Sequence, residues 1–132
     1  MVKKMSILLF VTALSFSAIS CKKEASPLED VNKENLVQIS MADEEIIRHG
    51  QEYIVLDEED SEALLEELKN ISYKKVDNDS IKGLIYHMEI QFEAEKEIVL
   101  KTLYFYNPDK VKIDDELYQI PKETYKKFEK YF

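Results

Sequence analysis

Residues 36–132 predict an α+β fold, an antiparallel sheet of about five to seven strands with two helices packed on one face. Three observations carry this reading. Segments with two-residue apolar alternation outnumber those with a helical period, and they follow one another across short polar turns. Only two stretches, opening at Asp57 and at Pro121, carry a helical apolar stripe. Strands joined as consecutive hairpins pair antiparallel, and a sheet with one buried face needs helices to cover it.

Taken in order, Val37, Ile39 and Met41 alternate with Gln38 and Ser40, which predicts a strand over 36–41. Ile46-Ile47 and Tyr53 to Leu56 flank His49-Gly50-Gln51 and suggest a hairpin turning at Gly50. Asp57-Glu58-Glu59-Asp60 opens the first helix, where Asp57 caps free N–H groups and the acids oppose the positive end of the helix dipole. Its stripe is Leu64, Leu65, Leu68 and Ile71, and it ends near Asn70. A short strand follows over Tyr73–Val76, then a polar loop and a break at Gly83.

The longest hairpin comes next. Leu84, Tyr86, Met88, Ile90 and Phe92 share one face of its first arm, and Ile98, Leu100, Thr102, Tyr104 and Tyr106 one face of its second. A loop centred on Glu95 then sets Phe92 opposite Ile98, Ile90 opposite Leu100 and Tyr86 opposite Tyr104, with Glu89 against Lys101 as a charge pair on the other face. Asn107-Pro108-Asp109 turns the chain, Val111 and Ile113 alternate with lysines, and Asp114-Asp115 turns it again into Leu117–Ile120. Pro121 starts a closing helix with a stripe of Tyr125, Phe128, Tyr131 and Phe132.

The first twenty residues have a different character. Lys3 and Lys4 precede a run that is apolar or small from Ser6 to Ile19, and Ala18-Ile19-Ser20 leads into the chain's one cysteine, Cys21. A basic start, a short apolar core and a small-residue exit are the parts of a secretory signal peptide. The run falls short of the roughly 20 apolar residues that span a bilayer. Ala18-Ile19-Ser20-Cys21 resembles the lipobox of bacterial lipoproteins, with Ala18 where that family most often has leucine. The resemblance implies removal of residues 1–20 and attachment of a diacylglyceryl group to the sulfur of Cys21. It implies an exported chain held by lipid on the cell membrane or outer membrane. Residues 21–35 would form the lipidated cysteine and a flexible tether, since Lys22 to Asn35 show no period around isolated Leu28 and Val31. The order of elements, closing in the run Lys110 to Ile120, is similar to small extracytoplasmic domains of bacterial lipoproteins without an assigned role.

Charge narrows the partners. Loss of Lys3 and Lys4 with the first twenty residues takes the formal charge from −9 to −11. Nucleic acid needs a basic face, so it is excluded, and membrane contact is expected through the lipid alone. A cationic partner fits the acidic surface, and so does an immunity or inhibitor role.

The search for chemistry finds no Ser-His-Asp order, phosphate loop, His-Glu-x-x-His or paired-cysteine pattern, so no catalytic residue, metal site or cofactor is expected. Asp57–Asp60 and Asp114-Asp115-Glu116 read as a helix cap and a turn rather than calcium sites, which alternate ligands with spacers. His87 could pair with Glu89 as acid and base, or share a face with it merely by alternation. With the helices on one side, Ile85, His87, Leu103 and Phe105 would line the other as a mixed aromatic patch. That patch either docks a partner or is covered by the N-terminal strands. The expected function is a lipid-anchored envelope protein whose domain binds a protein or envelope polymer without catalysis. A small envelope enzyme or metal-binding lipoprotein using His49 or His87 is the alternative.

Overall fold

A computed structural model of the chain describes residues 26–77 and 81–132. Seven strands form one antiparallel sheet: β1 (Leu36–Asp43), β2 (Ile54–Val55), β3 (Lys74–Lys75), β4 (Leu84–Ala94), β5 (Glu97–Tyr106), β6 (Lys110–Ile113) and β7 (Glu116–Gln119). Their spatial order is β2-β1-β4-β5-β6-β7-β3. Between them lie α1 (Glu44–His49) and α2 (Glu58–Lys69), and a 3₁₀ helix (Lys122–Tyr131) ends the chain. The α+β class with an antiparallel sheet is therefore the one the alternation predicts.

One core joins the helices to the sheet. Leu64, Leu65 and Leu68 of α2 and Phe128 of the C-terminal helix meet Ile39, Met41, Met88, Ile90, Leu103, Phe105, Val111 and Ile113. Asp57 caps α2 as expected, its carboxylate accepting from the Asp60 N–H at 2.8 Å. Asp43 does the same for α1, accepting from the Ile46 N–H at 3.0 Å. Gly50 then closes α1 in the left-handed conformation, φ 61°. The first arm of the hairpin expected around Gly50 is thus this short helix, with Glu44 and Glu45 in its first turn.

The β4–β5 hairpin differs from expectation by one residue. Phe92 pairs with Val99, Ile90 with Lys101 and Glu89 with Thr102. The cause is the turn: Glu95 and Lys96 both have positive φ, 50° and 69°, so a two-residue loop closes on Ala94 and Glu97. That is the primed geometry whose twist suits a hairpin. A one-residue slip exchanges the faces of a strand. Lys101, Leu103 and Phe105 therefore turn inward, while Ile98, Leu100, Thr102 and Tyr104 face away from the helices. Tyr86 lies in the core with Tyr125 packed against it, and Tyr104 is not part of that core.

Residues 26–35 are also part of the fold and not of a tether. Leu28 and Val31 are fully buried in the core. Lys101 clasps this segment: its Nζ donates to the Pro27 carbonyl at 3.0 Å and pairs with Asp30 at 3.1 Å and Asp114 at 3.0 Å. Lys69 donates to the Val31 carbonyl from α2. The strand order explains why such a clasp is needed. Before Leu103, β6 does not run beside β5, and the N-terminal segment meets the core side there through Lys101.

Candidate functional site

The face of the sheet turned away from the helices begins with His87. In register it lies between Ala42 of β1 and Tyr104 of β5. The Tyr104 ring stacks on the imidazole, centroids 4.3 Å apart and planes 8° from parallel. Tyr53, delivered by the loop after Gly50, meets the imidazole edge-on at 5.3 Å, with its hydroxyl 2.5 Å from Nδ1. Burial pushes the Tyr53 hydroxyl up, with Glu89 and Tyr104 adding to the effect, so the phenol stays protonated. The hydroxyl and Nδ1 share one hydrogen bond, whose direction goes with the ring tautomer. Nε2 is buried without a hydrogen-bond partner among the described residues. Burial pushes the imidazole below its ordinary value, against the opposing pull of Glu89, so the ring is neutral.

The structure takes the expected patch apart. Leu103 and Phe105 are fully buried on the helix side. Ile85 occupies the irregularity where the register shifts between Leu84 and Tyr86, and it packs against the core. His87 alone of the four lies on the far face. The pairing of Glu89 with Lys101 is absent as well, since the two residues stand on opposite faces and Lys101 has its own carboxylates. Cys21, Ala18, Ile19 and Ser20 lie outside the described residues.

What the sequence reading missed is further along the same face. Ile98 and Leu100 are 59% and 51% exposed, and Val99 on the reverse side is 37% exposed. They belong to the half of β5 that outruns β6, whose pairing begins at Leu103 with Ile113. A two-residue loop closes on a hydrogen-bonded pair, so Glu97, Val99 and Lys101 turn their backbone groups to β4. By alternation those of Ile98 and Leu100 point out of the sheet. Among the described residues the stretch is an edge with no strand partner beyond β4, and it carries apolar side chains. A sequence signal for it did exist: β6 has room for only four residues between two turns, against ten in β5.

Charge surrounds this edge. Glu93 pairs with Ile98 across β4 and β5, and Glu95 and Glu97 flank the hairpin tip with Lys96 between them. At the other end Asp114 and Asp115 form the β6–β7 turn, both with positive φ. They line a shallow depression of about 160 Å³ together with Thr102, Tyr104 and Lys112. Elsewhere, His49 is exposed on α1 beside Glu45 at 3.5 Å, apart from any other histidine contact among the described residues. Among the described residues no group of three or more histidine, cysteine or acidic side chains is arranged to hold a metal, and no helix is long and apolar enough to cross a membrane. No family model, curated protein or solved structure matches the chain.

Proposed function

We propose that the chain is a lipid-anchored cell-envelope protein whose α+β domain binds a protein or polymer of the envelope. The anchor would be Cys21, on the strength of the basic start, the apolar run and the Ala18-Ile19-Ser20 flank. The observation that carries the binding role is the exposed apolar run Ile98-Val99-Leu100 on a strand edge that has no partner among the described residues, a feature that folded domains ordinarily blunt or cover. The rival reading as a small enzyme or metal protein draws less support. His87 is locked between two tyrosines with a neutral ring, and His49 has one exposed carboxylate neighbour.

Two measurements test the two halves. Mass spectrometry of membrane fractions should find an N-terminal peptide beginning at Cys21 and carrying acyl chains. An unmodified thiol with residues 1–20 still attached would remove the anchor. For the binding role, photoreactive groups placed singly at Val55, Glu59, Ile98 and Lys126 sample both faces of the sheet in intact cells. A discrete adduct from one side supports the role, and absence of any adduct from all four positions sinks it.

A further inference from the structure

Resting on that binding role, we infer that the unpaired edge of β5 over Glu97–Lys101 accepts an extended peptide segment as an added strand. The segment would have an apolar centre and a lysine or arginine toward each end. Strand addition needs free backbone groups in a row and side-chain neighbours that reward the right sequence. Ile98 and Leu100 supply both. Each turns its N–H and C=O outward, and each presents an apolar side chain to a residue docked opposite.

Charge selects the occupant. The tip end of the edge carries Glu95 and Glu97 beside the single Lys96. The far end stops at Asp114-Asp115, where the depression beside Tyr104 gives a long basic side chain the Asp115 carboxylate and an aromatic ring to meet, Asp114 being engaged by Lys101. Lys112 shares that depression and tempers its negative charge. Lys101, turned to the helix side, is satisfied by Asp30 and Asp114 and does not reach the outer face. A second copy of this chain is the wrong occupant. Antiparallel self-pairing about Val99 would carry the acidic tip of one copy against the Asp114-Asp115 turn of the other, and parallel self-pairing would set tip against tip. Both arrangements bring like charges together.

The test uses the full chain, isotopically labelled, and two short synthetic peptides of alternating valine and threonine, one with lysine at both ends and one with glutamate. The lysine peptide should slow hydrogen exchange at the Ile98 and Leu100 amides, and its binding should weaken as salt is raised. The glutamate peptide should leave those amides unchanged. Leu100→Pro removes one outward N–H at a position where an edge strand tolerates proline. It should weaken the lysine peptide by roughly tenfold or more. Paired replacement of Ile98 and Leu100 by lysine keeps the backbone and should do the same, which guards against a proline variant that misfolds. Equal binding by wild type and both variants would overturn the inference. So would protection at other amides, or failure of the lysine peptide to bind. Protection of Ile98 and Leu100 that grows with protein concentration in the absence of peptide would give the edge to a second copy instead. If cells yield an adduct from another face while the peptides fail, the binding role stands and this edge is not its site.

Discussion

An imidazole shut between two phenols has room to be neutral and little room to be anything else. His87 shares a hydrogen bond with the Tyr53 hydroxyl through Nδ1, and its Nε2 meets no partner among the described residues. Protonation would put a charge, and a second ring N–H, in a place where burial already disfavours charge. The sign follows. With the folded value depressed, the unfolded chain binds the proton more readily, so stability rises with pH through this window. It is lost progressively as pH falls from the unfolded value, about 6.5, toward the lower folded one. Urea midpoints should therefore drop between about pH 7 and pH 5, and in His87→Gln, which cannot titrate, the drop should be smaller. An identical drop in the variant would assign the acid sensitivity to carboxylates. From the sequence, His87 could be placed on the far face by alternation with Glu89. Its partners were not legible, because Tyr53 reaches it from a loop and Tyr104 only through the correct hairpin register.

At the level of elements, that register is the instructive case. Both faces of β5 read as apolar: Ile98, Leu100 and Tyr104 on one, Val99, Leu103 and Phe105 on the other, with Lys101 the sole charge in the middle. A lysine is ordinarily placed in water, and that habit chose the wrong face. Lys101 instead lies 6% exposed, its ammonium lowered by burial but raised by more through Asp114 and Asp30. The deciding information was in the turn, where neither Glu95 nor Lys96 is a residue that favours positive φ. α2 was legible because cap, acidic first turn and stripe agree. α1 was not, because six residues hold too little periodicity to outvote the apolar pair Ile46-Ile47. The turn also yields a test. Glycine at Lys96, where φ is 69°, removes the crowding of Cβ in the left-handed region. Lys96→Gly should raise stability by about 1 kcal/mol with an unchanged dependence on denaturant, and the double variant with Glu95→Asn should gain more. A loss of stability in both would mean that side chains at the tip, rather than its backbone, hold the hairpin.

Across the whole molecule, the start of the domain moves toward the N-terminus, from residue 36 to Ser26. The sequence placed the domain start at residue 36 because Leu28 and Val31 stand isolated among charges, and an isolated pair has no period to detect. Their partners come from far along the chain: Lys101 by way of Pro27 and Asp30, α2 by way of Lys69, and β4 through the Glu93 N–H, which donates to the Asn35 carbonyl at 2.8 Å. The consequence is a short leash. With a lipid on Cys21, the five residues to Ser26 can span at most about 18 Å, so the domain would sit beside the headgroups rather than well clear of them. The measurable consequence is for stability. Burial of a leucine side chain such as that of Leu28 is worth about 2–5 kcal/mol against alanine, and Val31 and the clasp add to it. A domain of this size has a total of about 5–15 kcal/mol. A chain beginning at Ser26 should therefore unfold in urea at the same midpoint as the full chain, while one beginning at Leu36 should be largely unfolded by circular dichroism. Leu28→Ala in the full chain should fall between them. If the chain from Leu36 keeps the full midpoint, residues 26–35 are a tether after all, and the site of any anchor is free to lie far from the sheet.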